Sequence, residues 1–238
     1  MKKIAVIPAR YAASRFPGKL MQMLGNKTVI ATTYIATKKT GLFSDVIVAT
    51  DSDAIRGEIE DLGGHVIMTR KDHESGSDRI AEAVALMHVD VIVNVQGDTP
   101  FVNTEALSKL LALFNDKTVQ VASLMDVIKD KTSLHDPNVV KVCVDRNMNS
   151  LFFSRSLIPY PRNSAGTVAH YRHIGVYGFR KEALLQFTLW PVTPLEDAEK
   201  IECLRYLEHG IPLRMALTGP MGVDINTPED LEKAIKSL

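Results

Sequence analysis

Short β-branched runs alternate with amphipathic helical stretches through the first half of this chain, and that alternation narrows the fold more than any other feature. Ile4–Ile7, Asp45-Val46-Ile47-Val48-Ala49-Thr50 and Val89–Val95 read as buried strands. Ser77 is a candidate cap for a helix that places Ile80, Ala83, Val84 and Met87 on one face. Asn103 is a candidate cap for another, with Leu107, Leu110, Leu111 and Phe114 at the same spacing. Strands that alternate with helices need right-handed crossovers. The expected fold is therefore α/β, with a mostly parallel central sheet.

The second half is less regular. Gln120–Val127 and Val139–Val144 read as strands, Ser150–Ser156 as an aromatic-bearing strand or turn, and Asn163–His170 as a loop. Residues 130–190 are expected to form a smaller β-rich appendage within a single domain spanning 1–238, suited to contact with a second subunit. Leu195–Glu208 reads as one helix stopped by Gly210. Thr227-Pro228-Glu229-Asp230 is a strong helix start, with a Thr cap, Pro in the first turn and acids at the positive end of the dipole. Leu231, Ala234, Ile235 and Leu238 follow as its apolar face.

Composition excludes several functions. The 28 Lys+Arg balance the 28 Asp+Glu, so no excess positive charge exists to collect nucleic-acid phosphates. An apolar fraction of 45% supports a full core and excludes disorder as the main state. Cys143 and Cys203 form no CxxC pair and are read as small packing residues, which suits a reducing compartment. The apolar stretch after Lys2-Lys3 ends at Pro8, too short for a signal-peptide core. No run approaches the roughly 18 apolar residues of a membrane span. A cytoplasmic protein is expected.

Ligands of open parallel sheets bind beyond the carboxyl ends of the strands, and three unusual loops fall there. The first, Pro8 to Lys19, has no GxGxxG pattern but carries Arg10, Arg15 and Lys19 among small residues, including Ser14. Arg offers a bidentate fork and Lys a point charge, so the loop reads as a triphosphate cradle or, plainly, as a solvated basic loop. The second, Glu74-Ser75-Gly76-Ser77-Asp78-Arg79, reads either as helix capping or as a base or ribose contact. The third, Asn94-Val95-Gln96-Gly97-Asp98-Thr99-Pro100, puts a carboxylate straight after a strand, suited to Mg²⁺ or to an Asp-based turn. Gln96 beside it has an amide fit for a sugar hydroxyl. His173 and Tyr177, two apart along one strand face, suit a polar sugar pocket or a structural role. Glu199, Glu202 and Arg205 are expected on one helix face, and Trp190 as a core or interface anchor.

Taken in order, these segments resemble the bacterial CMP-Kdo synthetases, the 3-deoxy-manno-octulosonate cytidylyltransferases. The residues that carry the resemblance are Ile7-Pro8-Ala9-Arg10-Tyr11 and Ser14 to Lys19, then Val48-Ala49-Thr50-Asp51, Ser75-Gly76-Ser77-Asp78-Arg79 and Asn94 to Asp98. Phe153-Ser154-Arg155, His173 to Gly178, Pro194-Leu195-Glu196 and Thr227 to Leu231 complete the series. The resemblance implies a Rossmann-like nucleotidyltransferase fold, a homodimer, CTP, Mg²⁺ and attack of the anomeric hydroxyl of the acidic sugar Kdo on the α-phosphorus of CTP. CMP-Kdo for lipopolysaccharide assembly and pyrophosphate are the products. It assigns Arg15, Lys19 and Asp98 to catalysis. Arg10, Ser14, Arg15, Lys19, Ser75, Gly76 and Arg79 go to the nucleotide. Gln96, Arg155, His173, Tyr177 and Glu202 go to the sugar, with Arg155 facing its carboxylate. Three positions depart from the family pattern. Thr99 stands where Glu is usual, Cys203 where Gln is frequent, and Asn226 where a metal-binding Asp is expected. Asp224, two residues away, is the expected replacement ligand beside Asp98. Alternative readings are a cytidylyltransferase for another acidic sugar, of the 8-amino-Kdo or sialic acid type, and a CTP-binding protein with impaired catalysis.

Overall fold

The computed structural model describes residues 1–11, 16–162, 168–219 and 225–236. The chain packs as two compact units, Met1–Thr104 with Met221–Leu238, and Glu105–Pro220.

The first unit is built on strand β1 (Lys3–Ala9). A two-stranded hairpin of β2 (Met23–Leu24) and β3 (Lys27–Thr28) leads into helix α1 (Val29–Lys39). Strand β4 (Asp45–Thr50), helix α2 (Asp53–Glu60), strand β5 (His65–Met68), helix α3 (Gly76–Val84) and strand β6 (Val91–Asn94) follow. The four long strands are parallel in the order β6-β1-β4-β5. β1 therefore meets β4 on one side and the late-arriving β6 on the other, which makes the crevice beyond β1 and β6 a topological switch point. β1 and β6 are apolar throughout, with Ile4, Val6, Ile7, Val91, Ile92 and Val93 fully buried, as strands covered on both faces must be.

The two ladders of β1 have different lengths. Pairing with β4 runs from Ile4↔Asp45 to Ala9↔Thr50, whereas pairing with β6 stops at Val6↔Asn94, followed by Val95 N–H donating to the Val6 carbonyl at 3.1 Å. Pro8, two residues after Val6, faces the same neighbour and has no N–H to offer it. β6 is thereby free to leave the sheet and form the Gln96-Gly97-Asp98 turn.

Helix α3 starts two residues earlier than its pattern suggests. The cap is Ser75, whose hydroxyl accepts from Asp78 N–H at 3.1 Å while the Asp78 carboxylate accepts from Ser75 N–H at 3.0 Å, a reciprocal capping box. Ser77, the expected cap, is buried inside the first turn, and the helix ends at Val84 rather than reaching Met87.

The second unit opens with helix α4 (Thr104–Ala112) and continues through strand β7 (Val121–Val127), helix α5 (Lys131–His135), strands β8 (Lys141–Val144), β9 (Ser150–Ser154) and β10 (Tyr171–Arg180) and helices α6 (Lys181–Phe187), α7 (Pro194–Glu199) and α8 (Leu204–Glu208) to strand β11 (Leu213–Leu217). β7 pairs in parallel with β11 and antiparallel with β10, and β8 pairs antiparallel with both β10 and β9. The β-rich segment 130–190 lies within this unit. The chain then returns to the first unit as helix α9 (Pro228–Ile235), started by the expected capping box of Thr227 and Asp230. Asn163 to Thr167 of the expected loop and Leu238 of the α9 face lie outside the described residues.

The expected single helix over Leu195–Glu208 is two helices. Lys200 adopts a left-handed conformation, φ 51°, which ends α7, and Glu202 falls in the break. Glu199, Glu202 and Arg205 consequently do not share a helix face. Arg205 is instead buried and forks onto the Glu196 carboxylate, Nε–Oε2 and Nη2–Oε1 both 2.6 Å. That pair is the force that folds α8 back on α7.

Strand β10 carries a bulge between Ile174 and Tyr177. The Ile174 and Val176 carbonyls both approach the buried Ser123 hydroxyl, at 3.1 and 2.9 Å. Ser123 on β7 thus serves the oxygens that the bulge removes from the ladder. Ser123→Ala should destabilise the protein by about 1–3 kcal/mol, read as a lowered urea midpoint at unchanged m-value. An unshifted midpoint would show that the bulge needs no hydroxyl.

Candidate functional site

A cleft of about 220 Å³ opens at the switch point of the first unit and is lined by Pro8, Ala9, Arg10 and Lys19, by His73 to Gly76 and Arg79, by Gln96 to Asp98, and by Asn226, with Phe16 and Leu20 at its wall. The three loops singled out in the sequence and Asn226 therefore share one concavity.

Each wall has a local cause. Gly18, at φ 67°, turns the first loop back so that its N–H bonds the Tyr11 carbonyl at 3.1 Å, and a 3₁₀ turn over Lys19–Met21 follows. Leu20 anchors that turn in the core and leaves Lys19 facing the cleft. Gly97 lies so close to β1 that a Cβ there would sit 3.2 Å from the Pro8 carbonyl oxygen and 3.2 Å from Leu20 Cδ1. Thr33 of α1 donates its hydroxyl to the Gly97 carbonyl at 2.9 Å. Asp98 is thus delivered to the mouth of β1 by a turn that is held from both sides. Ile225 N–H donates to the Asp98 carbonyl at 2.9 Å, and this bond brings Asn226 to the same place.

Lys19 and Asp98 form an ion pair, Nζ to Oδ2, and the Asn226 Oδ1 lies 3.5 Å from the same Nζ. Arg10 is exposed on the rim. Arg79 is buried: Nη1 donates to Thr69 Oγ1 at 2.5 Å and Nη2 lies 3.4 Å from Asp51 Oδ2. It ties α3 to the carboxyl ends of β4 and β5 while still lining the cleft. Ser75 and Gly76 present the N-terminus of α3, packed against β1, since a Cβ on Gly76 would touch Pro8 Cγ at 3.4 Å. Backbone N–H groups at such a terminus favour an anion or a hydrogen-bond acceptor. Ser14, Arg15 and Asp224 lie outside the described residues.

The departures fall unequally. Thr99 is buried and is absent from the lining, whereas Asn226 lines the cleft. His73 on the wall and Thr33 behind it were not singled out in the sequence, and Glu74 and Asp51, though named in it, were given no site role. Thr33 looks like any helical Thr until the fold sets it against Gly97.

Of the residues expected at the sugar, Gln96 is on this cleft, and the others belong to the second unit. There, the half-buried His173 packs against Phe153, edge-on at 4.9 Å, and against Tyr177 at 5.4 Å. Burial pushes the His173 imidazole down to about 4. Its Nε2 lies 2.9 Å from the Ser123 hydroxyl, whose single proton goes to a bulge carbonyl, so Nε2 is the donor. Burial first, then the nearby Cys203 and Glu202, push the Tyr177 phenol well up, leaving it a neutral hydroxyl. Burial likewise raises the Cys203 thiol, consistent with a packing role. Trp190 stacks on His209 at 3.8 Å. Arg155 spends its guanidinium on three carbonyls: Glu199 at 2.6 Å, Pro137 at 2.9 Å and Lys200 at 3.3 Å.

Comparison with known proteins puts these features in a family. A family model described as cytidylyltransferase matches residues 4–217. A 3-deoxy-manno-octulosonate cytidylyltransferase of Flavobacterium johnsoniae is 54% identical over 237 residues, covering 98% of this chain and 97% of that protein. Its counterpart in Acaryochloris marina is 44% identical, covering 98% and 96%. A solved structure of CMP:2-keto-3-deoxy-manno-octonic acid synthetase complexed with CTP superposes with a TM-score of 0.95 at 36% identity, covering 100% of this chain and 98% of the other.

The neutral His173 makes stability depend on pH. Its folded value lies below the unfolded 6.5, so the unfolded chain binds the extra proton between about pH 6.5 and 4. The contribution is full above 6.5 and falls by on the order of 3 kcal/mol as pH drops towards 4. Urea titrations across that range should show this slope in the wild type and its loss in His173→Gln; equal slopes would refute it.

Proposed function

The chain belongs to the cytidylyltransferase family, and from that membership we propose that it transfers CMP from CTP to the anomeric hydroxyl of 3-deoxy-manno-octulosonate, releasing pyrophosphate. The observation that carries this reading is the convergence of Lys19, Asp98, the α3 N-terminus and Gln96 on one cleft at the switch point.

Nucleotidyl transfer needs alignment and charge neutralisation more than covalent help. In this reading Arg10 and Lys19 take the triphosphate oxygens, joined by Ser14 and Arg15 from the same loop. Ser75, Gly76 and Arg79 hold the nucleoside end, and Gln96 meets the incoming sugar. The family resemblance assigns Arg155, His173, Tyr177 and Glu202, all within the second unit, to the sugar. His173 offers a neutral ring and Tyr177 a neutral hydroxyl, both suited to sugar hydroxyls against an aromatic wall.

The donor set at the end of the cleft fits Mg²⁺. Asp98 supplies a partly exposed carboxylate and Asn226 an amide oxygen on the same lysine. Among the described residues no group of three or more His, Cys, Asp or Glu side chains gathers as a metal cage. One carboxylate plus substrate phosphates and water is the usual coordination of this ion. Asp98 with Asn226, or with Asp224, would hold it, and when bound it would lower the charge of the triphosphate and favour the ionised attacking hydroxyl. The proposal includes a cytoplasmic homodimer. Leu189, 82% exposed beside the exposed Val192 and Leu195, supports a subunit contact, and among the described residues no helix is long and apolar enough to cross a membrane.

Asn226 on the cleft wall favours one second reading, CTP binding with impaired turnover. Pyrophosphate release with CTP, Mg²⁺ and Kdo decides between them. Turnover with Kdo supports the first reading, and turnover only with another acidic sugar moves it to that substrate. CTP-dependent thermal stabilisation without turnover supports the second. Asn226→Asp should raise activity by about tenfold or more if the amide is the weak ligand. An unchanged rate would show that Asp98 and Asp224 suffice. Lys19→Ala removes a charge-assisted bond of about 1.5–3 kcal/mol and should lower kcat/KM roughly 10- to 150-fold. Unchanged kinetics would remove the first loop from the cradle.

A further inference from the structure

His73 has no role in the foregoing reading, yet it lines the nucleotide cleft with its side chain only 4% exposed. It sits in the loop before α3, two residues ahead of Ser75. Its Nε2 pairs with the Glu82 carboxylate, one turn and a half along α3. Glu82 is itself fixed, because its two oxygens accept the Arg70 N–H at 3.4 and 3.2 Å. Burial raises the Glu82 carboxyl, but the His73 hydrogen bond and the Arg70 N–H outweigh it and hold the group below its usual value. It is therefore a carboxylate, which can only accept. Nε2 must carry the proton. In the neutral ring Nδ1 is then an acceptor, and it has no protein partner among the described residues.

An acceptor on a cleft wall whose tautomer is locked discriminates between ligands that differ in donor pattern. Cytosine carries an amino donor on C4, and uracil carries a carbonyl acceptor there. We propose that His73, held in its Nε2–H tautomer by Glu82, selects cytosine over uracil at the nucleotide cleft: Nδ1 accepts from the cytosine amino group and faces the uracil O4 acceptor to acceptor. Glu82 is a positioning residue in this scheme and does not touch the base. The inference rests on the cytidylyltransferase reading, and it adds a side-chain origin for base choice to a loop whose other contacts are backbone and hydroxyl groups.

Steady-state kinetics of pyrophosphate release with CTP and with UTP, each with Mg²⁺ and Kdo, test it on the intact protein. His73→Asn places an amide near the position of Nδ1, free to turn either its oxygen or its nitrogen to the base. The ratio of kcat/KM for CTP to that for UTP should fall by about tenfold or more, mainly through the loss on CTP. Glu82→Gln leaves the ring in place but frees its tautomer, and should lower the same ratio in the same direction. Both variants are checked for wild-type melting temperature. Where either melts early, equilibrium binding of CTP and UTP below the transition gives the ratio instead. Parallel losses on both nucleotides, with the ratio unchanged, would overturn the proposal and make the pair structural. Wild-type protein that neither binds nor turns over CTP would instead sink the family reading beneath it, a separate outcome.

Discussion

The cleft exists because strands β1 and β6 part company at Pro8. Up to Val6 the two strands share a ladder; at Pro8 the donor that would continue it is missing. β4 stays paired for three residues more, so the sheet holds on one side while it opens on the other. Everything chemical in the first unit hangs on that asymmetry. Gly97 fills the gap with bare backbone, Asp98 follows it, and Lys19 arrives from the loop that β1 itself becomes. The opening costs one ladder bond, which is small beside the apolar burial of the strands around it.

Much of this was legible in the chain. The parallel sheet followed from β-branched runs separated by helical spacing, and the three loops could be placed at the strand ends because parallel strands put them there. The Thr227 helix start was read from its cap chemistry alone. The misses have physical reasons. Ser75 and Ser77 are both acceptable caps, and only the carboxylate of Asp78, three residues after Ser75, chooses between them. The helix over Leu195–Glu208 breaks because Arg205 gains a buried carboxylate by folding back onto Glu196, a tertiary interaction that outweighs the local propensity of Lys200 to stay helical.

Site residues were legible where a residue type announces chemistry and illegible where it only supports it. Lys19, Asp98 and Gln96 stand out as charges and an amide beside a glycine turn. Thr33 and Asp51 do not, since nothing local says that one will hold the Gly97 carbonyl and the other a buried guanidinium. His73 was hidden for the opposite reason, as an ordinary histidine in a polar loop until its neighbour nine residues on proved to be a carboxylate in contact with it. Arg155 shows that a charged residue type can also mislead in emphasis, because its three carbonyl partners make it a brace from the end of β9 to α7 and to Pro137 as much as a group offered outward.

The Arg79 side chain joins three things that otherwise move separately. It is rooted in α3, bonded to the residue that follows β5 and close to the one that follows β4. Such a shared fastening makes local fraying unprofitable, since loosening any one element strands a buried charge that the other two still hold. The floor of the cleft must therefore open and close as a single cooperative block rather than loop by loop, and any ligand of the cleft meets a surface already assembled.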